Sequence, residues 1–287
     1  MSFSDHYKQE ATMVPAPNGE RFGVRTVDGL ELVAERHGNH SGPEIVLVHG
    51  LGQSCLSWSR QTEGLLAETC HLVAYDLRGH GNSSKPASVA AYEDAALWAA
   101  DLHAVIEAAG LRRPTVVGWS LGALIAGHYL QRYGHDRVAA VNVVGAVTKL
   151  VPELLGVAAL AHRDLLASPD LATRSDAIAS FLSACFAVPP PEAEFRRMLA
   201  FNAMVPREMH QAVGRIGHEG LDEAWAAVPR LLATWGDEDR HVRREMSTRL
   251  LALNPAARLS VYEGAAHAPF YERSERFNRE LAAFAAG

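Results

Sequence analysis

A serine between two glycines is the feature of this sequence that most directly indicates chemistry. Ser120 is the central residue of the pentapeptide Gly118-Trp-Ser-Leu-Gly122. The apolar run Thr115-Val-Val before it predicts a buried strand, and the Ala- and Leu-rich residues 121–130 after it predict a helix. The flanking glycines permit a sharp turn from strand to helix, which would expose the serine hydroxyl above a sheet as a nucleophile.

A nucleophilic serine needs a base and an acid, and both follow later predicted strands. A serine hydroxyl is a weak nucleophile at neutral pH, so an adjacent imidazole must take its proton. His267 follows the predicted strand 257–262, and Asp239 follows the predicted strand 230–235. Because the carboxyl ends of parallel strands share one edge of a sheet, we expect Ser120, Asp239 and His267 to meet there. His267 would act as base and then as acid, and Asp239 would hold its tautomer.

The loop after the strand 230–235 offers two aspartates as partners for the histidine. We favour Asp239 because the chain must first leave the sheet edge before an acid can turn back under the imidazole. We assign Asp237 to the turn itself, since aspartate readily accepts hydrogen bonds from backbone amides two residues on. No acid follows the strand predicted to end at Val144, so the sequence offers no third position.

Negative charge that develops on a substrate carbonyl oxygen needs preorganised donors. The backbone N–H of Leu121, directly after the serine, is one candidate, and the N–H of Leu51 is the second. Leu51 lies between Gly50 and Gly52, which let the backbone approach a substrate closely. We also predict substrate contacts for Gly50 and for Trp119, the residue before the serine.

Other histidines and aromatic residues have more ordinary interpretations. We interpret His49 and His80 as structural side chains that brace their turns. The aromatic residues of the segment 147–227 are expected to form its core instead of lining a pocket. These are Phe181, Phe186, Phe195 and Phe201.

The elements that must position these residues alternate along the chain. Residues 44–145 show the pattern strand, helix, strand, helix, strand, helix, strand, which predicts an α/β fold with a mostly parallel, doubly wound sheet. The alternation resumes at about residue 228, so we assign residues 1–146 and 228–287 to the core. Residues 147–227 are apolar, broken by prolines and without a convincing strand, and they predict an inserted helical cap of four or five short helices.

Five local features are also predicted from the pattern. Two strand-like runs flank Asp28-Gly29 and indicate a hairpin. We expect helices over residues 58–68 and 92–109, a strand over residues 137–144, and an extended polar arm over residues 1–20.

Composition and charge exclude several classes of protein. The chain has 287 residues and a net charge of −6 at pH 7, so it has no basic footprint for nucleic acid or an anionic membrane. Three cysteines without metal-ligand spacing indicate free thiols and no metal site. No signal peptide is visible over residues 1–17, and no apolar run is long enough to span a membrane. We expect a cytoplasmic protein, either a monomer or a small homo-oligomer.

Five motifs together resemble the α/β-hydrolase fold family. They are VLVHGLGQS, YDLRGHGNSS, VVGWSLGALIAGHY, TWGDEDRHV and EGAAHAPFYERSERFNREL. The turn from strand to helix at Ser120, called the nucleophile elbow, is similar to that of small carboxylesterases. Other parts are similar to the metal-free haloperoxidase group. The resemblance implies an acid three residues after Gly236, which is Asp239, and no cofactor. Ser120 differs from the aspartate that haloalkane dehalogenases and epoxide hydrolases of this family use.

The resemblance and the residues together predict a serine carboxylesterase that forms an acyl-enzyme with a small-molecule ester. No lid-like amphipathic helix is evident, so we expect short- to medium-chain esters. The same three residues could also serve a perhydrolase or haloperoxidase, a lactonase, a carbon–carbon bond hydrolase or an acyltransferase. A more remote alternative is a small-molecule receptor with slow turnover.

Overall fold

The computed structural model describes residues 19–287. Two predictions concern residues that lie almost wholly outside this part. They are the extended arm over residues 1–20 and the absence of a signal peptide over residues 1–17. The first strand already begins at Glu20.

The described residues form one eight-stranded sheet. The strands are β1 (Glu20–Arg25), β2 (Glu31–Gly38), β3 (Glu44–Val48), β4 (His71–Tyr75), β5 (Thr115–Trp119), β6 (Ala140–Val144), β7 (Leu231–Gly236) and β8 (Arg258–Tyr262). Their spatial order is β1-β2-β4-β3-β5-β6-β7-β8. The pairs β1–β2 and β2–β4 are antiparallel, and every later pair is parallel. The predicted mostly parallel α/β sheet is thereby confirmed.

Thirteen α-helices connect or cover these strands in residues 19–287. They are α1 (Ser59–Thr62), α2 (Leu65–Thr69), α3 (Ala90–Glu93), α4 (Ala95–Ala108), α5 (Leu121–Tyr133), α6 (Val157–His162), α7 (Leu171–Ser183), α8 (Glu192–Ala203), α9 (Arg207–Ala212), α10 (Leu221–Ala226), α11 (Arg244–Leu253), α12 (Pro269–Glu272) and α13 (Ser274–Ala286). Short 3₁₀ helices lie at Cys55–Trp58, His135–Arg137, Pro152–Leu154 and Val213–Arg215.

Alternate residues of the central strands pack into two different core layers. In β3, Val46 and Val48 join the layer that contains α4 and α5, whereas Ile45 and Leu47 join the layer that contains α13. Both faces of the sheet are therefore covered, which explains why β3 is apolar at four consecutive positions. The sheet is doubly wound, as predicted.

The predicted hairpin is present, and local side chains specify its turn. Gly29 has φ of 85°, a conformation that favours glycine. The amide of Leu30 donates to Thr26 Oγ1, and this hydroxyl donates to Asp28 Oδ1. These contacts stabilise the connection between β1 and β2.

Three predicted elements differ from the structure at their boundaries. The helix predicted over 92–109 is broken at Asp94, whose carboxylate accepts from the amide of Ala96 and begins α4 as an N-cap. The helix predicted over 58–68 is divided because Gly64 is extended (φ −103°, ψ −173°). The strand predicted over 137–144 begins only at Ala140, since residues 135–137 form a 3₁₀ turn.

The segment between β6 and β7 contains only helices and turns, and its last helix returns to the core. A side chain on Gly127 of α5 would lie 2.9 Å from the indole of Trp225 in α10, so these two helices pack closely. Met209 and Ala212 of α9 pack in the same core layer as Trp225. The assignment of residues 147–227 to a separate cap stays a prediction.

Candidate active site

The turn between β5 and α5 holds Ser120 in an unusual backbone conformation. Its φ of 54° and ψ of −114° make it the only non-glycine residue with positive φ among residues 19–287. Such strained residues persist where the surrounding structure fixes them and are frequent at functional sites. The Ser120 amide donates to Val144 O, and the Val147 amide donates to Ser120 O, so the turn is tied to the end of β6.

The glycines of the pentapeptide are required by close backbone contacts. A Cβ on Gly118 would lie 2.6 Å from the carbonyl oxygen of Gly122. A Cβ on Gly122 would overlap the carbonyl oxygen of Val48 at the end of β3. The elbow therefore depends on glycine at both positions for space, in addition to its sharp turn.

The acid predicted for the histidine is in place. Asp239 Oδ2 lies 2.8 Å from His267 Nδ1, and both side chains are buried. Asp239 Oδ1 accepts from the backbone amides of His241 and Val242 at 2.8 and 3.0 Å. These amides fix the carboxylate, which in turn holds the proton of a neutral His267 on Nδ1. Nε2 then carries a lone pair and can accept a proton.

The second aspartate of the loop has the structural role that the sequence indicated. Asp237 is exposed and accepts from the backbone amide of Gly264 at 2.7 Å. This contact ties the loop after β7 to the loop after β8. The structure brings Asp239, and not Asp237, to His267.

The imidazole of His267 lies beside the serine turn. Ser120 is bonded to Val144, and a Cβ on the next residue, Gly145, would lie 2.8 Å from His267 Nδ1. The indole N–H of Trp119 donates to the carbonyl oxygen of His267 at 2.8 Å. Trp119 is buried behind the histidine, so it supports the imidazole and is not part of the cavity wall described below.

Leu51, Leu121 and Ser120 all lie on the wall of one cavity. That the amides of Leu51 and Leu121 face a substrate oxygen stays a prediction. Gly50 approaches the serine closely, because a Cβ there would lie 3.1 Å from Ser120 Cβ. Gly50 therefore leaves room for the nucleophile's own side chain.

Two buried histidines brace the turn that contains Leu51. His80 Nε2 accepts from the amide of Gly52 at 3.2 Å, and His49 Nε2 accepts from the amide of Leu77 at 3.0 Å. Burial lowers the pKa of His49 to about 4 and that of His80 to about 3, so both rings stay neutral and keep their acceptor nitrogens at pH 7. Both histidines have the structural role predicted from the sequence.

The cavity above Ser120 has a volume of about 100 Å³ and is bounded on its far side by the helical segment. Most of its wall is apolar, with residues from the end of β6 and from the cap. Phe181 belongs to this wall, so the prediction that it lies only in the cap core was wrong. Phe186 and Phe201 are buried, with the partly buried Phe195, in the core layer that contains α13, so they do not form a core of the cap alone.

Three polar residues of the cavity were not predicted. His210, His241 and Arg163 line it together with the apolar residues. No motif marks His210 or Arg163 in the sequence, and His241 lies in the motif TWGDEDRHV, where only its neighbour Asp239 was given a role. These three residues come together only through the tertiary fold. Within residues 19–287 no group of His, Cys, Asp and Glu side chains could hold a metal ion.

Comparison with known proteins agrees with this geometry. Residues 45–280 match the model of the alpha/beta hydrolase family. The chain belongs to this family. The match runs from Ile45 in β3 through β8 and includes Ser120, Asp239 and His267, and it confirms the resemblance seen in the sequence.

Similar proteins include solved structures that match this hydrolase over nearly its whole length. A Burkholderia cenocepacia protein assigned as an aryl esterase is 35% identical, with a TM-score of 0.89, and the match covers 92% of this chain and 97% of that one. The esterase RhEst1 from Rhodococcus sp. is 30% identical, with a TM-score of 0.85 and coverage of 93% and 98%. A bifunctional esterase/perhydrolase from Acinetobacter calcoaceticus is 34% identical over 128 residues, which is 45% of each chain.

None of the helices in residues 19–287 combines the length and the apolar character needed to cross a bilayer.

Proposed function

We propose that this α/β hydrolase is a serine carboxylesterase in which Ser120, His267 and Asp239 form a catalytic triad. The observation that carries the proposal is the 2.8 Å contact between Asp239 and His267 beside the strained turn of Ser120. Ser120 Oγ attacks the ester carbonyl carbon while His267 Nε2 accepts its proton. His267 then donates that proton to the departing alcohol, which leaves an acyl-enzyme.

Two further groups complete the proposed reaction. The backbone N–H groups of Leu51 and Leu121 donate to the oxyanion of the tetrahedral intermediates. Water, deprotonated by His267, attacks the acyl-enzyme, and the acid is released as Ser120 recovers its proton. The mechanism uses only side chains and backbone amides and requires no cofactor.

Similarity and cavity size support this substrate class. Two solved structures that are at least 30% identical over nearly the whole chain are described as esterases. A mostly apolar cavity of about 100 Å³ has room for a small acyl group, since a dry cavity of about 150 Å³ accepts a benzene molecule. We therefore expect acyl chains of two to about six carbons to be preferred. We also propose that the protein acts in the cytoplasm.

Perhydrolysis is the second candidate function, and one observation favours it. The Acinetobacter relative is named both an esterase and a perhydrolase. A perhydrolase would use the same acyl-enzyme, with hydrogen peroxide as the acceptor in place of water. A lactonase, an acyltransferase or a carbon–carbon bond hydrolase would use the same triad. A small-molecule receptor would turn over its ligand only a few times per hour.

The test is a series of p-nitrophenyl esters with acyl chains from C2 to C16, with lactones included, for the wild type and for Ser120→Ala. We expect kcat/KM to be highest for short chains, and Ser120→Ala to lose several orders of magnitude in kcat. A parallel assay of peroxide-dependent bromination with an acetate donor measures perhydrolysis. Bromination that is faster than ester hydrolysis would favour the second candidate, and failure to cleave any ester would contradict the first.

A further inference from the structure

Two buried histidines in the cavity wall have ring nitrogens without hydrogen-bond partners. His210 is 5% exposed, and neither its Nδ1 nor its Nε2 has a partner among the described residues. His241 is 2% exposed, and its Nδ1 has none. Both rings line the cavity that contains Ser120. Buried polar atoms are nearly always satisfied in native proteins, so these unpaired nitrogens are candidates for binding a polar group of a ligand.

The hydrogen-bonding capacity of these rings can be assigned. His241 Nε2 lies 3.1 Å from the carbonyl oxygen of Phe181, so Nε2 carries the proton and Nδ1 is an acceptor. Burial lowers the pKa of His210 and of His241 to about 3, so both rings are neutral at pH 7. A neutral His210 offers one donor and one acceptor. The two rings therefore present one N–H donor and two acceptors, without charge.

We propose that His210 and His241 are specificity residues that bind a hydroxyl group on the acyl chain of the substrate. This inference depends on the proposed ester hydrolase, whose substrate class it narrows to esters of hydroxy acids. A hydroxyl group is uncharged and both donates and accepts, so it would accept from the His210 N–H and donate to one of the two acceptor nitrogens. The rings of His241 and His267 are 4.8 Å apart, so the hydroxyl would lie close to the reacting carbonyl.

Other groups fit this part of the cavity less well. An alkyl chain would leave three buried nitrogens unsatisfied, which costs free energy for each of them. A carboxylate would need a charged partner once it is removed from water, and both rings are neutral. Arg163 also lines the cavity, but it is exposed, so solvent screens its charge.

The test compares p-nitrophenyl 3-hydroxybutyrate with p-nitrophenyl butyrate, which share a leaving group and chain length. We expect the wild type to favour the hydroxy ester by about tenfold or more in kcat/KM, because a site built to bind a hydroxyl discriminates against analogues that lack it. His210→Phe keeps the ring shape and removes both nitrogens, and it should bring the ratio close to one. His241→Asn, which retains an acceptor near the position of Nδ1, should keep more of the preference than His241→Phe.

His103 supplies a matched control. Its Nδ1 is also buried without a partner, but the ring packs on Tyr133, 4.1 Å between centroids, outside the cavity. His103→Phe should leave the ratio of the two kcat/KM values as in the wild type. Thermal unfolding gives a second measurement, since a purely structural His210 would lower the Tm when replaced. We expect the Tm of His210→Phe to stay constant or rise, because two unpaired buried nitrogens are removed.

Equal kcat/KM values for the two esters in the wild type would overturn the inference and leave the proposed ester hydrolase intact. So would a ratio that survives in His210→Phe while the Tm falls, since this result assigns His210 to stability. Hydrolysis of neither ester would contradict the proposed function itself, and the inference with it.

Discussion

The Asp239 carboxylate accepts hydrogen bonds from two backbone amides in addition to the one from His267. One of its oxygens accepts from two backbone amides, and the other accepts from His267. The carboxylate therefore has a fixed orientation before any substrate binds, and it selects the tautomer in which His267 Nε2 is unprotonated. In the proposed mechanism, this contact orients His267 and stabilises the imidazolium that forms during the reaction.

The two aspartates of this loop should separate activity from stability. Asp239→Asn should lower kcat by up to about 10⁴-fold, because the amide no longer selects the reactive tautomer of His267. Asp237→Asn should cost about 1 kcal/mol of unfolding free energy, since it weakens one hydrogen bond to Gly264, and should retain most activity. Ester hydrolysis and urea unfolding measure the two effects. A folded, inactive Asp237→Asn beside an active Asp239→Asn would assign the catalytic role to Asp237.

At the scale of elements, the elbow joins three strands through backbone contacts. Gly122 lies against Val48 at the end of β3, and Ser120 is bonded to Val144 at the end of β6. The first turn of α5 therefore fixes the distance between the serine and the turn that carries Leu51. A change of backbone spacing here would move both candidate oxyanion donors.

Gly122→Ala should reduce both stability and activity. The added methyl group overlaps a backbone oxygen that cannot rotate away, and such overpacking costs about 1–3 kcal/mol. The control is Gly134→Ala at the other end of α5, where an added Cβ meets no atom within 4 Å and only the positive φ of 84° is penalised. This variant should lose stability and keep kcat/KM. Full activity in Gly122→Ala would show that the elbow spacing does not matter for the reaction.

The order of elements could be predicted from the sequence, whereas several of their ends could not. Apolar runs such as residues 44–48 are local patterns that predict strands, and the polar residues that follow each strand can be identified from the same local sequence. The break at Asp94 is different, because the same residue could have continued the helix with its side chain in solvent. Tyr92 and Trp98 lie on either side of Asp94, and their rings pack 6.4 Å apart across this break in the helix.

At the scale of the whole molecule, the residues at the strand ends were predictable and those of the opposite wall were not. Ser120, Asp239 and His267 each follow a strand, and parallel strands bring their ends together whatever the intervening sequence. His210 reaches the cavity through the path of the cap, which no local pattern specifies. The sequence consequently indicated the reaction more clearly than the substrate.

Four buried neutral histidines should make the stability of the molecule depend on pH. The pKa is lowered to about 4 for His49 and to about 3 for His80, His210 and His241, against an ordinary value near 6.5. Below pH 6.5 these histidines are protonated in the unfolded chain but stay neutral in the folded chain. The unfolding free energy should therefore fall as pH decreases from 6.5 toward 4. The slope is at most about 1.4 kcal/mol per pH unit for each histidine.

Urea unfolding at pH 7.0, 6.0, 5.0 and 4.5 measures this dependence. His210→Phe should have a shallower slope than the wild type because it removes one of the four groups. An unfolding free energy that is constant from pH 7 to pH 4.5 would be inconsistent with neutral, buried imidazoles.

The most direct test of the account is covalent labelling of the nucleophile. A fluorophosphonate incubated with the protein should form one adduct per chain, located on Ser120 by peptide mass spectrometry, and esterase activity should fall in proportion to labelling. Ser120→Ala should not be labelled, and Asp239→Asn should be labelled far more slowly than the wild type. An adduct on another residue, or full esterase activity in a chain fully labelled at Ser120, would contradict the assignment of Ser120 as the catalytic nucleophile.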